Sequence, residues 1–500
     1  MSAWIPTIGL EVHAPIRAAV KIFSGGLSRT SYDAVNEAVA FFDLALPGSL
    51  PVLNRQCVEA GVLTALALSS NLNRQSYFDR KHYFYPDLPS SYQITQHRVP
   101  LAFGGRLDFP SIHSGNDTIS IRIKQLHIEQ DSAQIIPGKK VAGGHQTLVD
   151  YNRAGKGLME IVTEPDLSSG NEAAAFVNEL QLLLKTLSTG DEDSLRVDAN
   201  VSVRHSSSDE MGNRTEVKNI QSWKSLSKAI DYEITRHIEI LESGDIVEQE
   251  TRSFDKRKSV TLPTRGKGKR QDYRFMAEPD LAPLVLTGND ISLTNLDKPI
   301  TLTEGNVDVD LLRRILPELP MQTRSRLNTQ YGLSHRQSSL LMSEEGALDY
   351  YCSVVSSSNT TSPQSVFLWV FTELWALLKK GSLTFSNSNV SSETLAQLID
   401  SVEQKRISRD RALQVLRNIF QGDSRDITQI MSDKEDVHSS DITELREICS
   451  SVVAEFPKQA NEYNTGVKAR LSFFIHKVMA RTKDYDPQVI RTMLEQILKQ

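Results

Sequence analysis

The sequence predicts an α+β protein: a mostly antiparallel, β-rich domain over residues 1–295, a helical domain over 296–395, and a helical tail module over 396–500. Three observations carry this reading. Apolar residues alternate with period two in several early runs without a βαβ rhythm, which favours an antiparallel sheet. The period changes to that of a helix after the polar stretch Asn289–Asp308. A second polar break, Ser386–Ser392, sets off the last helices. A chain of 500 residues also exceeds one compact core.

Taken in order, the strand-like runs are Ile8–His13, Ile119–Asp131, Leu158–Thr163 and Leu195–Val203. Asn54 is placed to cap a helix whose stripe is Val58, Val62, Ala65 and Leu66. A second helix follows Ser222 through Leu226, Ile230, Ile234 and Ile238. Residues 256–272 are basic and glycine-bearing and predict a mobile loop. Helical patterning runs from Leu311 to about Leu378, interrupted by a connector over Ser356–Pro363. In the tail, Leu471, Phe474, Ile475, Val478 and Met479 predict one apolar helix face. Asp486 precedes Pro487 as a helix start, and Ile490, Met493, Leu494 and Ile497 repeat the stripe.

Composition excludes several classes. A net charge of −6 gives no global signature of nucleic-acid binding, so any such surface is a local patch. The three cysteines, Cys57, Cys352 and Cys449, form no CxxC pair, which argues against a thiolate zinc cluster or a disulfide framework and suits a reducing compartment. No apolar run is long enough for a membrane span. A strand-like run begins by Ile8, leaving no room for a signal or transit segment ahead of it in this chain.

The chemistry concentrates in strands. In the run from Leu158 to Thr163, alternation puts Glu160 on the side of Leu158 and Val162. A carboxylate there is expensive to bury unless it meets a cation, a metal or hydrogen-bond donors; the plain alternative is an edge residue facing water. Glu11 and His13 share a strand face, as do His127, Glu129 and Asp131. So do Asp198, Asn200 and Ser202, and likewise Glu216 and Lys218. Singly, each is the ordinary polar side of a strand. Together, carboxylates with imidazole and no thiol suit Mg²⁺ or Mn²⁺, and with Arg and Lys nearby they suit the phosphates of ATP. No P-loop or protein-kinase motif is present. A second constellation, Phe78–Pro89 with Tyr92–Gln96, interleaves aromatics with Arg80 and Lys81. It can stack on a base or simply pack on a helix. A third, Gln271–Leu281, adds Arg274, Glu278 and Asp280.

These segments resemble the B-type subunits (GatB) of the glutamyl/aspartyl-tRNA amidotransferases. The motifs are IGLEVH (8–13), ALPGSLPVLN (45–54), RKHYFYPDLP (80–89), YQITQ (92–96), HIEQD (127–131), LVDYNRAG with LMEIVTEPD (148–166), RVDANVSVR (196–204), TEVKNIQS (215–222), QETRSFD (249–255) and DYRFMAEPDL (272–281). LPELP (316–320), YGLS (331–334) and the segment from Thr465 to Pro487 extend the likeness almost end to end.

The resemblance implies a cradle-shaped domain similar to the glutamine synthetase catalytic fold, followed by a helical domain and a tail. It implies an ATP-dependent ligase that binds Glu-tRNA(Gln) or Asp-tRNA(Asn), phosphorylates the side-chain carboxylate with Mg²⁺ and ATP, and amidates it with ammonia from a glutamine-hydrolysing, A-type amidase partner. A small third partner of C or F type completes the complex. Matched onto this sequence, Glu11, His13, Glu129 and Glu160 are the expected metal ligands. Glu160, Asp198 and Asn200 are the expected catalytic residues, and Arg80, Lys81, Glu216 and Lys218 the expected nucleotide contacts. Lys468, Arg470, Lys477, Arg481 and Lys483 are candidates for the tRNA backbone. The alternative is a non-catalytic tRNA-binding adaptor of the same complex. Three departures from the family pattern shape expectations. Gly155-Lys156-Gly157 stands where Gly-x-Pro is usual, predicting a looser turn before Glu160. Gln130 replaces a carboxylate, leaving Glu129 as the ligand. Phe23–Gly26 lacks the cysteine of zinc-bearing members, so no zinc is expected. This drift, with serine-rich loops, points to the mitochondrial matrix, with the bacterial cytoplasm as the alternative.

Overall fold

A computed structural model describes the chain except residues 1–2, 29–33, 112–116, 142–143, 191–194, 221, 265–272, 289–306, 359–361, 423–424, 426, 428, 430–438, 465–469, 482–486 and 499–500. Much of the predicted basic loop, the polar stretch after Asn289, Lys468, Lys483 and Asp486 lie outside the described residues. The chain forms two compact units, Met1–Tyr351 with Ser362–Phe367, and Cys352–Thr361 with Leu368–Gln500.

The first unit is built on one large sheet. Its site-bearing strands are β1 (Trp4–Pro15), β4 (Thr118–Gln130), β5 (Gly157–Thr163), β6 (Arg196–His205), β7 (Thr215–Ile220), β8 (Thr251–Asp255) and β9 (Val260–Pro263). A small separate sheet joins β2 (Asp79–His82), β3 (Tyr92–Thr95) and β10 (Met276–Ala277). In the large sheet the order is β9-β8-β7-β6-β1-β5-β4, with short strands beyond β4. All these neighbours are antiparallel except β7 and β8. The N-terminal strand is therefore central, and the two most motif-rich strands flank it.

Alternation sorts the sheet into two faces. Ile8, Leu10, Val12 and Ala14 of β1 are buried with Met159, Ile161, Ala199, Val201 and Val217 in one apolar core. Three helices cover that face: α1 (Arg55–Ala67), α2 (Gly170–Leu187) and α3 (Trp223–Glu242). Asn54 caps α1 by accepting from the Gln56 amide at 2.9 Å, and Ser222 caps α3 through the Ser225 amide. Helix α2 is an addition to the elements read from sequence. Ser169 caps it through the Glu172 amide, and Ala173, Phe176, Leu180, Leu183 and Leu187 form its buried stripe. Gly170 lets α2 meet α3, because a Cβ there would lie 2.3 Å from the Ser227 carbonyl oxygen.

Helices α4 (Pro320–Tyr331) and α5 (His335–Ser343) belong to this unit. Arg324 of α4 reaches Glu179 of α2 with two hydrogen bonds, at 2.6 and 2.7 Å, and both side chains are buried. The compact unit thus continues past the compositional break.

The second unit is helical and includes α6 (Ser392–Glu403), α7 (Arg409–Phe420), α8 (Ser439–Glu455), α9 (Arg470–Arg481) and α10 (Pro487–Ile497). Leu445, Cys449, Val452, Leu471, Phe474, Val478, Ile490 and Leu494 form one of its cores. Met479 does not join it and is 41% exposed, because Leu471, Phe474 and Val478 already fill the inward positions of α9. Arg470 pairs with Glu462 and Arg481 with Glu455, while Lys477 lies over the Phe456 and Phe473 rings. These predicted tRNA contacts are partly engaged within the unit. No described helix is long and apolar enough to cross a membrane.

Candidate active site

The polar face of the sheet carries the site, and strand register explains its composition. His127 of β4 lies opposite Glu160 of β5, which lies opposite His13 of β1, which lies opposite Arg196 of β6. One step along, Glu11 faces Asp198, and Asn200 faces Glu216. A register shift between Val197 and Ala199 interrupts the β6–β7 pairing at Asp198.

Two ligand sets result. His13, Glu129 and Glu160 bring one ligand atom each within 4.8 Å of one another, and Glu11, Asp198 and Glu216 do the same. The structure therefore separates Glu11 from the other three expected metal ligands. Two residues along β1 is a full pleat repeat, which carries Glu11 to the set anchored on β6 and β7. Asn200 donates to Glu11 at 3.0 Å and so positions it. Each donor set fits a hard divalent cation: one imidazole with two carboxylates in the first, three carboxylates in the second, and no thiol in either.

The first set gains a neighbour that strand spacing alone did not single out as a site residue. His127 shares a strand face with Glu129, and its Nε2 lies 3.0 Å from Glu160 and 3.7 Å from Glu129. His13 Nε2 lies 3.4 Å from Glu160 and 3.8 Å from Glu129. Burial disfavours the charged imidazolium of His127, but the adjacent carboxylates outweigh it and raise its pKa to about 10. The His13 pKa is also raised, with burial opposing and Glu160 and Glu129 prevailing. Burial works against ionised Glu160 too, yet the two imidazoles hold its carboxyl well below the usual range. Glu11 moves the other way: burial, then the Glu160 and Glu216 charges, raise its pKa against the Asn200 hydrogen bond.

A cavity of about 350 Å³ reaches both sets through His13, Glu129 and Asp198, and Lys81, Tyr83, Asp131, Arg153, Arg196 and Lys218 also line it, whereas Glu11, Glu160 and Glu216 do not. Lys218 pairs with Glu216 at 2.8 Å and Asp198 at 3.4 Å. Lys81 lines the cavity with its Nζ 4.7 Å from the Tyr273 ring centroid. Arg80 does not line it. Its guanidinium is committed to Glu278 at 2.7 and 2.9 Å and to Asp280 at 3.0 Å, and lies over Tyr92. Alternation along β2 explains this: Lys81 and Arg80 point to opposite faces, and only one reaches the cavity.

Arg153 and Arg196 join the site from motifs that the sequence singled out for other residues. Asp131 holds them, Arg196 at 2.6 Å and Arg153 at 3.6 Å. Arg153 also donates to the Ser132 and Ala133 carbonyls. The expected looseness of the turn before Glu160 is not observed. The Gly155 amide donates to the Asp131 carbonyl at 2.9 Å, and the Gly155 carbonyl accepts from Ile22 at 3.1 Å. Gly155 has φ 79°, and a Cβ there would lie 2.7 Å from Asp43 Oδ1. Asp43 forms a fully buried ion pair with Lys21 at 2.8 Å, and Lys21 also donates to the Tyr151 carbonyl at 3.2 Å. The turn is thus braced from below.

The family model described as the GatB/GatE catalytic domain matches residues 6–292 of this chain, and the GatB domain model matches 349–498. The chain belongs to the GatB family. Among GatB relatives, it is 42% identical over 504 residues to the B subunit of the mitochondrial glutamyl-tRNA(Gln) amidotransferase of Danio rerio, covering 99% of this chain and 89% of that one. Identity to the corresponding mitochondrial glutamyl-tRNA(Gln) amidotransferase chain of Homo sapiens is 41%, covering 99% and 88%. The B subunit of the aspartyl/glutamyl-tRNA(Asn/Gln) amidotransferase of Rickettsia canadensis is 38% identical, covering 96% and 94%. Both ligand sets and the cavity lie within the span of the catalytic-domain match.

Proposed function

We propose that this chain is the GatB component of a heteromeric tRNA-dependent amidotransferase and that its sheet-borne site activates the carboxylate of a misacylated tRNA. The supporting observation is one cavity lined by members of both carboxylate-rich sets, His13, Glu129 and Asp198, together with four cations, Lys81, Arg153, Arg196 and Lys218. That is the equipment for phosphoryl transfer, in which positioning and charge neutralisation dominate. A non-catalytic adaptor would have no use for such a convergence.

In this reading the glutamate or aspartate side chain of the tRNA-linked amino acid attacks the γ-phosphorus of ATP. An O–P bond forms, the bond to the β-phosphate oxygen breaks, and ADP leaves. Ammonia then attacks the acyl carbon, the acyl C–O bond to phosphate breaks, and the proton that the nitrogen loses leaves with the phosphate as hydrogen phosphate. The free carboxylate is a poor acyl donor; the acyl phosphate has a good leaving group. His13, Glu129 and Glu160, and separately Glu11, Asp198 and Glu216, would hold Mg²⁺, which when bound offsets phosphate charge. Lys81 and Lys218 meet phosphate oxygens. Arg153 and Arg196, fixed by Asp131, orient the anionic substrates. Asn200 positions Glu11, and His127 positions Glu160.

We assign the chemistry to residues 1–295, in a cradle of glutamine synthetase type, and tRNA affinity to 396–500, with 296–395 between them. An A-type amidase partner supplies ammonia, and a small partner of C or F type completes the complex. The mitochondrial names of the 42% and 41% identical relatives support the matrix as the site of action, with the bacterial cytoplasm as the alternative.

The test is ADP formation by the reconstituted complex with Mg-ATP, comparing misacylated, correctly charged and uncharged tRNA. ADP release only with misacylated tRNA, and amidation with ammonium in place of glutamine, are expected. Absence of tRNA-dependent ATP cleavage would overturn the reading.

A further inference from the structure

Arg153 reaches the cavity from a turn, Tyr151–Gly155, rather than from a strand, so its place depends on what holds that turn. Beneath the turn lies an ion pair that does not line the cavity. The Lys21 and Asp43 side chains are both fully buried, 2.8 Å apart. Either charge alone would be costly there, but the pair is well supplied with partners. Asp43 also accepts from the Ser24 hydroxyl and the Ala40 amide, each at 2.8 Å, and Lys21 also donates to the Tyr151 carbonyl at 3.2 Å. Two glycines make room for it. A Cβ at Gly155 would lie 2.7 Å from Asp43 Oδ1, and one at Gly26 would lie 2.8 Å from Asp43 Oδ2 and 3.2 Å from Lys21 Cδ. The pair is therefore clasped between the Gly26 backbone and the turn. The backbone repeats the link, because the Ile22 amide, next to Lys21, donates to the Gly155 carbonyl at 3.1 Å.

Arg153 has little freedom of its own. Its Nε donates to the Ser132 carbonyl at 2.9 Å and its Nη2 to the Ala133 carbonyl at 2.7 Å, so the direction of the guanidinium is set and its height follows the turn. We infer that Lys21 and Asp43 are positioning residues for Arg153: the buried pair fixes the height of the Tyr151–Gly155 turn and thereby the point at which the guanidinium meets an anionic substrate. The inference rests on the proposed activation chemistry and adds to it two residues that touch no substrate. An ion pair suits the task because charge-assisted hydrogen bonds fix distances and directions, whereas apolar packing is non-directional.

The test uses the reconstituted complex with Lys21→Met and Asp43→Asn combined. Both charges go together, so no buried charge is stranded, and the amide oxygen at position 43 can still accept from Ser24 or Ala40. Ammonium-dependent amidation is measured against Mg-ATP and against misacylated tRNA, in the parent and in an Arg153→Ala background. In the parent background kcat/KM should fall about tenfold, with a higher KM for one of the two substrates. Where Arg153 is already replaced, the further loss should stay below about twofold, because the pair acts through that side chain. Gly26→Ala presses on the other carboxylate oxygen of Asp43, should give a loss of about threefold with the same dependence on Arg153, and serves if the paired variant does not fold. An equal loss in both backgrounds, or a fall in kcat with both KM values unchanged, would reduce the pair to structural support and overturn the inference. Unchanged kinetics in both variants would do the same. Wild-type complex without tRNA-dependent ATP cleavage would refute the activation chemistry instead. Amide exchange over residues 151–156 then decides the brace: it should be about tenfold faster in the paired variant, and unchanged exchange there would overturn the positioning role.

Discussion

Two ionic clusters hang from opposite faces of the same sheet, and they differ in what satisfies them. On the helix-covered face, Glu233 of α3 is fully buried and meets Thr215, Arg236, Arg252 and His237, and it also accepts from Thr261. Burial opposes its charge, yet these donors hold its carboxyl far below the usual range. On the polar face, Glu129 and Glu160 share two imidazoles, while Glu11, Asp198 and Glu216 crowd together with Lys218 and Asn200. Both clusters are made of the same residue types. The first has donors in surplus and is a brace; the second has acceptors in surplus and faces a cavity, so it has capacity for cations and phosphate.

The sharpest break between the two should come from paired substitutions. Glu160→Gln removes a shared acceptor of the site and is expected to lower ammonium-dependent amidation by about a thousandfold in protein that still folds. Near-normal amidation would remove Glu160 from the chemistry. Glu233→Ala should do the reverse. It strands buried Arg252 and His237 and is expected to cost about 3–5 kcal/mol in chemical denaturation. If stability changed by less than about 1 kcal/mol, the brace would be dispensable.

Asp198→Asn removes one charge from the acceptor-rich set but keeps its shape. Amidation should drop on the order of tenfold, equivalent to about 1.4 kcal/mol. A rate unchanged at saturating tRNA and ATP would assign Asp198 to structure. The smallest effect is expected at the cavity rim. Lys81→Met should raise the KM for ATP by about threefold to tenfold with little change in kcat, since removal of ground-state binding appears in KM. A loss confined to kcat would place Lys81 at the transferring phosphate.

Acid weakens both clusters, because the folded pKa values of Glu233 and Glu160 are both depressed, and a substitution at Glu233 isolates its share. The folded pKa of Glu233 is depressed, so its contribution to stability is complete above the unfolded carboxylate value and is lost as pH falls through that value toward the folded one. Stability measured downward from about pH 5 should therefore decline, and Glu233→Gln should flatten that decline. An identical slope in parent and variant would assign acid sensitivity elsewhere.

The strand alternations at Glu11–His13, His127–Asp131, Glu160 and Asp198–Asn200 were readable because a period of two fixes which side chains share a face, whatever the neighbours. The caps at Asn54 and Ser222 were readable because capping is local chemistry. Helix α2 was harder to read. Its Ala173–Ala175 and Leu182–Leu184 runs are apolar at consecutive positions, which blurs the helical period. The sequence alone therefore determined which residues could stand together on a face. It could not determine which strands are neighbours, and that choice decided the site: β1 between β5 and β6 puts His13 beside Glu160, sends Glu11 to Asp198, and recruits His127 and Arg196. Nor could it show that Arg80 is consumed by Glu278, nearly two hundred residues away, while adjacent Lys81 reaches the cavity. Side-chain direction is a local property of the backbone, but partners and donor balance depend on pairings distant in sequence, and only the tertiary fold makes those.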